Sequence, residues 1–213
     1  NIQELVERIH NSLKESSNWK YELIFVNDDS SDQSENILLR LQKDYPIKII
    51  NMSRKFGVDP CVLAGFRHAE GEAIIYLHTD LQDPPEIIPN LLKKYEEGFD
   101  VVHTIRTKRK GENKFRMFVT KIAYHLINIL SDINLPIEAG DYKLISKKAL
   151  EKILNQKEFR PYVRGLSVWV GFKQAYINYE RQARGSGKSK MPLLSAGPVT
   201  DFINGITSYS LKP

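Results

Sequence analysis

Helix-like and strand-like hydrophobic patterns alternate along the whole chain, and this alternation restricts the fold more than any other sequence feature. Strands are predicted over residues 21–26, 47–51, 73–77, 101–105, 142–145 and 174–179. Helices are predicted over residues 2–13, 33–44, 60–71, 85–96, 114–130, 147–155 and 163–170. Such alternation is typical of a Rossmann-like α/β fold, in which a mainly parallel central sheet is flanked by helices.

The end of the third predicted strand carries the residues that point most directly to chemistry. Asp80 and Gln82 follow the apolar run 73–77, and Pro84 and Pro85 then stop the strand and start the next helix. Open α/β sheets bind ligands at the carboxyl ends of their strands. Carboxylate and amide oxygens suit Mg²⁺ or Mn²⁺, in a shell completed by substrate phosphates. The alternative is a helix cap or a solvated turn, which is the commoner role of an Asp-x-Gln pair.

A second strand end, at Asn27 and Asp28, also carries a carboxylate. A carboxylate in this position can accept hydrogen bonds from a nucleobase or a ribose, and the two strand ends are expected to flank one crevice. Asp32 has capping-box spacing with Glu35 and is predicted to cap the following helix instead. Arg164, next to Gly165, is attributed to packing rather than to chemistry.

The composition indicates one soluble globular domain and excludes several other classes. The 213 residues are 41% hydrophobic and 27% charged, which is enough apolar material for one good core. The single cysteine, Cys61, excludes an internal disulfide framework and fits a reducing compartment. No run of 18 apolar residues is present, so no membrane span is predicted within the sequence.

Basic residues are concentrated between positions 105 and 125, where seven of them accompany one acid and give a net charge of +6. Such a block suits phosphate groups, nucleic acid, an anionic membrane surface or simply a solvated helix face. Nucleic acid is the least favoured of these ligands because Phe115, Phe118 and Tyr124 have core-like helical spacing.

Segment 181–191 combines cations with Gly and Ser residues and is predicted to be a mobile loop. Its four basic residues are Arg181, Arg184, Lys188 and Lys190. The combination suits a lid that closes over phosphates, and plain disorder is the alternative.

Several short stretches, taken in order, resemble one known family. They are 25–28, 53–57, 64–65, 80–86, 140–144, 164–165, 169–172 and 179–190. The chain resembles a family 2 glycosyltransferase with a GT-A fold over almost its whole length. It is most similar to the polyprenyl-phosphate glycosyltransferases, a branch that includes dolichol-phosphate mannose synthases and bacterial undecaprenyl-phosphate glucosyltransferases.

The resemblance implies a metal-dependent, inverting hexosyltransferase. A sugar would pass from a nucleotide diphosphate sugar, with UDP favoured by likeness to the bacterial branch, to undecaprenyl phosphate at the cytoplasmic face of the cell membrane. Asp80 and Gln82 would hold Mg²⁺ or Mn²⁺, and Asp141 would act with Asp80 in catalysis. The donor-binding residues would be Asn27, Asp28, Arg54, Gly57, His78, Thr79 and Asp80. The acceptor phosphate would be bound by Arg106, Arg116 and Lys143, and the lysines around them would face anionic headgroups.

Three positions depart from the family pattern. His78 occupies the place of the usual first acid of the metal motif. Asp29 replaces a usual Gly, which is tolerable in a left-handed backbone because Asp enters that region more easily than most residues. Lys143 replaces a usual Arg and loses the bidentate fork.

Both ends suggest that the sequence belongs to a longer protein. Residues 1–4 resemble what directly follows the first strand of the family fold, so that strand is expected to lie outside the sequence. We predict a GT-A catalytic domain over 1–192 and an amphipathic juxtamembrane segment over 193–213 that leads to membrane helices. The longer protein would then be anchored in the membrane while this fragment is soluble, and homo-oligomerisation through the membrane region stays open.

Two other functions are compatible with the sequence. A saccharide hydroxyl in capsule or O-antigen synthesis would also serve as acceptor, with Asp141 as the first candidate for the required base. His78 in place of an acid would alternatively indicate a degenerate nucleotide-binding scaffold that no longer transfers sugar.

Overall fold

The computed structural model describes residues 1–14, 19–109, 139–156 and 162–182, together with His125 and Ile129, both of which are helical. The helices are α1 (Ile2–Lys14), α2 (Ser34–Leu41), α3 (Val58–Arg67), α4 (Ile88–Glu96), α5 (Lys147–Leu154) and α6 (Val163–Trp169). The strands are β1 (Leu23–Asn27), β2 (Ile47–Asn51), β3 (Ala73–Tyr76), β4 (Val101–Arg109), β5 (Ala139–Ser146) and β6 (Gln174–Arg181). The predicted alternation of helices and strands is confirmed within these ranges, whereas most of the helix predicted over 114–130 and all of residues 183–213 lie outside the described part.

The strands form two sheets. β1 pairs with β2 in parallel, and the second sheet has the order β3-β5-β4-β6. Within the second sheet β5 is antiparallel to both β3 and β4, and β4 is parallel to β6. Three of its four strands therefore run in one direction, and the predicted α/β class is confirmed. The fourth strand, β5, is antiparallel, which hydrophobic spacing alone does not reveal.

β1 and β3 line a shared cavity of about 950 Å³, which is closed by side chains of α1 and α3. In the described ranges each of these two strands has a strand partner on one edge only. The cavity is mostly apolar, with Leu23, Phe25 and Ile75 on its walls. The expectation that a further strand of the fold lies outside the sequence stays a prediction.

Helices cover both faces of the second sheet. α1 and α4 bury Leu5, Ile9 and Leu91 with Val102 and Leu144 on one face. α5 and α6 bury other apolar side chains with Val101 and Ile145 of the same strands. Neighbouring strand residues thus point to opposite faces, which leaves the strand ends to carry the site. None of the helices in the described ranges has the length and apolar character needed to cross a bilayer.

The predicted capping box at the start of α2 is wrong in part. Asp32 does cap the helix start, since its Oδ1 accepts a hydrogen bond from the N–H of Ser34 (3.0 Å). Glu35, however, accepts a hydrogen bond from Nδ2 of Asn51 (2.8 Å) rather than closing the box. The reason is that the helix begins one residue later than the spacing requires, with Gln33 in the N-cap position.

Candidate active site

The carboxyl ends of β3, β4 and β6 meet at one edge of the second sheet. Because β5 runs in the opposite direction, its first residues lie at this same edge, and Ile105 of β4 is paired with Ala139. The topology therefore brings together residues that are far apart in the sequence. Two of the predicted catalytic residues, Asp80 after β3 and Asp141 in β5, belong to this group.

The loop that carries Asp80 and Gln82 is shaped by an uncommon backbone conformation at the residue between them. Leu81 has φ of +61°, in the left-handed region, although its side chain is buried in the core. Oδ1 of Asp80 accepts a hydrogen bond from the N–H of Gln82 (3.1 Å) and closes a tight turn. Strained backbone of this kind persists where the surrounding packing enforces it, and it is concentrated at functional sites.

The donor set of this turn fits a divalent cation that takes most of its ligands from a substrate. Asp80 supplies a carboxylate and Gln82 an amide oxygen, the hard ligands that Mg²⁺ and Mn²⁺ prefer. Among the described residues no group of three or more His, Cys, Asp or Glu side chains forms a complete cage. Asp80 and Gln82 therefore lie as the sequence predicted, although their metal binding stays a prediction.

Arg181, at the end of β6, links this turn to the segment predicted to be a basic lid. Its Nη2 lies 4.0 Å from Oδ2 of Asp80, and its Nε lies 3.6 Å from Oδ1 of the buried Asp83. The N–H of Gln182 donates a hydrogen bond to the backbone oxygen of Gln82 (3.0 Å). The segment predicted to be a lid thus starts directly beside the turn of Asp80 and Gln82.

Asp141 is clamped by Arg164. The guanidinium donates through Nε to Oδ1 (2.9 Å) and through Nη2 to Oδ2 (2.7 Å). Nε2 of His78 lies 3.4 Å from Oδ2 of the same carboxylate. Burial by itself would raise the pKa of Asp141, but Arg164, His78 and Lys143 together outweigh it and hold the pKa well below its usual range. Asp141 is therefore ionised and a weak base at neutral pH.

Lys143 is placed differently from a residue that contacts a lipid phosphate. Its side chain is buried, and its ammonium donates a hydrogen bond to Oγ of Ser167 (2.9 Å). Burial lowers the pKa of Lys143 to about 8, against the opposing effect of Asp141. The prediction of a direct contact with the acceptor therefore needs correction, because strand β5 turns this side chain into the interior. Its charge acts on the site through Asp141.

Four of the seven residues predicted to bind the donor, Asn27, Asp28, Arg54 and Gly57, lie at the end of β1 and the loop beside it, while the other three follow β3. The carboxylate of Asp28 accepts hydrogen bonds from the N–H groups of Phe56 (2.7 Å) and Gly57 (2.9 Å). Burial opposes these bonds, but together they lower the pKa of Asp28. Arg54 stacks over the ring of Phe56 at 4.0 Å. Asp28 therefore holds the loop that contains Arg54 and Gly57 in place.

Asp29 has φ of +53°, so the left-handed backbone predicted for it is confirmed. Asn27, two residues earlier, makes hydrogen bonds through both polar atoms of its side chain. Its Nδ2 donates to Oδ1 of Asn51 (3.0 Å), and its Oδ1 accepts from the N–H of Ser30 (3.1 Å). Arg116, Arg184, Lys188 and Lys190 lie outside the described residues, and their predicted roles stay predictions.

Three residues that were not predicted as site residues belong to the site, namely Asp83, Arg164 and Tyr179, all of them buried or half-buried. Arg164 and Tyr179 donate or accept hydrogen bonds with the predicted residues Asp141 and Arg106. Asp83 is hydrogen-bonded to Tyr179 and faces the predicted Arg181. Arg164 was assigned to packing, because nothing in its local sequence indicates that it faces Asp141 across 23 residues. Asp83 directly follows Gln82 and Tyr179 precedes Arg181 by two positions, so proximity to the motifs was the available signal.

Comparison with known sequences identifies relatives along the whole chain. A family model described as glycosyl transferase family 2 matches residues 1–154. The uncharacterized glycosyltransferase YkcC of Bacillus subtilis is 40% identical over 213 residues, covering 100% of this chain and 65% of that protein. A prophage bactoprenol glucosyl transferase homolog of Escherichia coli K12 is 32% identical over 201 residues, covering 94% of this chain and 65% of its own length. The chain spans just under two thirds of these relatives.

Solved structures share the fold at low sequence identity. Mannosyl-3-phosphoglycerate synthase from Rubrobacter xylanophilus superposes with a TM-score of 0.64 at 14% identity, covering 97% of this chain and 67% of that one. Staphylococcus aureus TarS 1–349 in complex with UDP gives 0.52 at 18% identity, covering 83% and 58%. The Pyrobaculum calidifontis mannosyltransferase PcManGT with GDP-Man and Mn²⁺ gives 0.50 at 15% identity, covering 84% and 55%.

Proposed function

Because the chain belongs to glycosyl transferase family 2, we propose that it transfers a sugar, with inversion, from a nucleotide diphosphate sugar to the phosphate of a polyprenyl lipid. UDP is the proposed nucleotide carrier, and undecaprenyl phosphate is the proposed lipid. The bactoprenol glucosyl transferase homolog from E. coli supports a polyprenyl acceptor through its name. A lipid acceptor is available only at a membrane, so we assign the reaction to the cytoplasmic face of the cell membrane.

The protonation state of Asp141 is the observation that favours one class of acceptor over the other. A saccharide hydroxyl must lose a proton as it attacks, which requires a general base, and Asp141 is the first candidate. Arg164 grips both carboxylate oxygens of Asp141, which keeps it ionised and weakly basic. A phosphate acceptor is already anionic at neutral pH and needs orientation rather than deprotonation. The clamped Asp141 therefore supports the phosphate acceptor.

Each half of the reaction has its own group of residues. Asp80 and Gln82 would hold Mg²⁺ or Mn²⁺, which when bound neutralises negative charge on the departing diphosphate. Arg181 lies beside Asp80 and would bind the same diphosphate as a bidentate donor. Asn27, Asp28 and the loop at Arg54 and Gly57 would bind the nucleoside. Arg106 would bind the acceptor phosphate, with Arg116 as its proposed partner.

The test is a transfer assay with the purified protein in detergent. A panel of UDP- and GDP-sugars is offered with undecaprenyl phosphate, or with saccharide acceptors, and with Mg²⁺, Mn²⁺ or EDTA. We expect a lipid-linked product from undecaprenyl phosphate alone, formed from a UDP-sugar and abolished by EDTA. Transfer only to saccharides would overturn the lipid acceptor. Nucleotide binding without transfer or donor hydrolysis would instead indicate a degenerate scaffold.

A further inference from the structure

We propose that Asp83 and Tyr179 are positioning residues that fix Arg106 and Arg181 relative to each other, so that the acceptor and donor sides of the site share one buried support. The inference rests on the proposed function for the roles of the two arginines. Neither Asp83 nor Tyr179 would touch a substrate. Their effect would be exerted on the guanidinium groups alone.

Asp83 is the centre of this arrangement. Its side chain is fully buried, directly behind the turn formed by Asp80 and Gln82. One of its oxygens, Oδ1, accepts a hydrogen bond from the hydroxyl of Tyr179 and faces Nε of Arg181 at 3.6 Å. Within the described ranges its other oxygen, Oδ2, has no hydrogen-bond partner. A buried carboxylate is costly unless cations and hydrogen bonds compensate its charge, so both arginines contribute to keeping it in place.

Tyr179 transmits this support to Arg106. Its hydroxyl accepts a hydrogen bond from Nε of Arg106 (3.1 Å) while it donates to Asp83, which orients the guanidinium of Arg106. On its other side, Arg106 lies against Gly140, where a Cβ atom would be only 2.7 Å from Nη2 of Arg106. Arg106 is thus confined between a tyrosine hydroxyl and a residue without a side chain.

The arrangement solves an electrostatic problem. Arg106 and Arg181 are near enough for repulsion from Arg106 to contribute, after burial, to the lowered pKa of Arg181, while Asp83 and Asp80 act in the opposite direction. Two guanidiniums at the ends of neighbouring strands would otherwise move apart. Asp83 and Tyr179 link them, so their separation is set by the protein. An in-line displacement between an acceptor phosphate and a departing diphosphate requires such fixed positions.

The central experiment compares Tyr179→Phe with Tyr142→Phe. The two rings contact each other edge to face, with centroids 6.1 Å apart, and both are buried. The hydroxyl of Tyr142 donates to the backbone oxygen of Pro84 (3.2 Å), so its removal loses one buried hydrogen bond that does not involve either arginine, whereas Tyr179→Phe loses two. We expect Tyr179→Phe to raise the KM for undecaprenyl phosphate about tenfold or more, since a hydrogen bond to a charged group is lost. Tyr142→Phe should lower Tm, as Tyr179→Phe also does, and leave the KM for undecaprenyl phosphate unchanged.

Two further variants separate the two sides. Gly140→Ala should raise the KM for the acceptor without changing the affinity for UDP and Mn²⁺, because its Cβ displaces Arg106 only. Asp83→Asn should raise the KM for the acceptor and also weaken the binding of UDP and Mn²⁺, since both arginines lose their shared counter-charge. If Tyr179→Phe and Tyr142→Phe have the same effect on the KM, or if Asp83→Asn changes Tm alone, the positioning role is wrong.

A spectroscopic measurement tests the inference without reference to activity. In protein labelled with ¹⁵N at arginine, the Nε–H of Arg106 should exchange slowly with solvent, and Arg106→Lys assigns its signal. Tyr179→Phe should abolish the slow exchange, and Tyr142→Phe should preserve it. Slow exchange in a protein that transfers no sugar would overturn the proposed function and leave the inference standing. Rapid exchange in the wild type would overturn the inference, whatever the activity.

Discussion

The ionised carboxylate of Asp141 depends on Arg164, and this dependence leads to a stability prediction. Replacing Arg164 by Met would leave a largely buried negative charge without its bidentate partner. Losses of this kind cost about 3–5 kcal/mol when the pair is fully buried, and Asp141 retains 25% side-chain exposure, so we expect about 2–3 kcal/mol. The double variant with Asp141→Asn should recover part of the loss, because position 141 then carries no unpaired negative charge. Urea unfolding of the single and double variants measures this coupling.

The same pair predicts a pH dependence. The pKa of Asp141 is lower in the folded protein than its ordinary value of 3.8, so the folded state binds fewer protons than the unfolded state in acid. The stability it contributes is therefore complete above that ordinary value and is lost as the pH falls below it. Asp141→Asn should flatten this acid loss, and an unchanged acid limb in the variant would contradict the pairing.

The turn at Asp80 allows its chemistry to be removed without loss of structure. In Asp80→Asn the side-chain oxygen still accepts the hydrogen bond from the N–H of Gln82, so the turn should persist and stability should change by about 0.5 kcal/mol or less. Affinity for Mn²⁺ in the presence of UDP, measured by electron paramagnetic resonance, should fall by more than about tenfold. Asp44→Asn, an exposed acid before β2 at the opposite end of the strands, is the matched control and should change neither.

Single residues were predictable where local chemistry decides their conformation or role. Asp29 adopts the left-handed backbone that its replacement of Gly required, and Asp80 closes the turn at its strand end. The burial of Lys143 was not predictable, because its partner Ser167 is 24 positions away and its sequence neighbours do not distinguish an inward from an outward charge. The Glu35 half of the capping box failed because the helix begins one residue later than the spacing requires, which leaves Glu35 to accept a hydrogen bond from Asn51.

At the scale of elements, the end of β6 lies beside the turn of Asp80 and Gln82, and the basic segment begins there. Arg181→Gln should weaken binding of UDP in the presence of Mn²⁺ by about tenfold, because a charge-assisted contact to the diphosphate is lost. Arg181→Lys should recover only part of this affinity, since an ammonium lacks the bidentate fork. Isothermal titration calorimetry measures both, and equal affinities for the two variants and the wild type would remove Arg181 from the donor site.

The end of α4 supplies a prediction that does not depend on function. Gly98 has φ of +87°, its N–H donates to the oxygen of Tyr95, and the N–H of Phe99 donates to that of Lys94, as in a Schellman motif. Gly98→Ala should destabilise the protein by about 1–2 kcal/mol, the cost of a left-handed conformation for an L-residue. Gly71→Ala is the control, because its Cβ would make only an ordinary contact of 3.5 Å. Thermal unfolding measures both variants, and equal shifts in Tm for the two would contradict this explanation.

Helices and strands were predictable because each has a clear hydrophobic period and clear Gly or Pro boundaries. The helix predicted to end at residue 96 does end there, and Gly98 follows it in the Schellman motif. The direction of β5 was not predictable, because residues 142–145 are buried between two strands and would show the same apolar run in either direction. That direction brings Asp141 to the edge where β3 and β4 end, so the site itself depends on a feature that the periodicity does not contain.

At the scale of the whole molecule, charge is distributed unevenly along the chain. The net charge is +5, and the stretch between positions 105 and 125 alone contributes +6. The described end of this stretch, β4, carries Arg106 to the edge where the site lies. A basic stretch whose first residues lie at the site is suited to a substrate presented by an anionic lipid surface, where each Lys or Arg contributes about 1 kcal/mol.

We therefore expect the chain to bind vesicles that contain anionic phosphatidylglycerol and to leave vesicles of phosphatidylcholine unbound. Charge reversal by Lys110→Glu, Lys114→Glu and Lys121→Glu together should abolish sedimentation with anionic vesicles, as should raising the salt concentration, because screening shortens the reach of the field. Lys14→Glu, Lys20→Glu and Lys43→Glu together make the same change in net charge at exposed positions elsewhere and are the control. If both triple variants lose binding equally, overall charge rather than the 105–125 stretch attracts the membrane. If the wild type binds neither kind of vesicle, the basic stretch does not bring the site to a lipid surface.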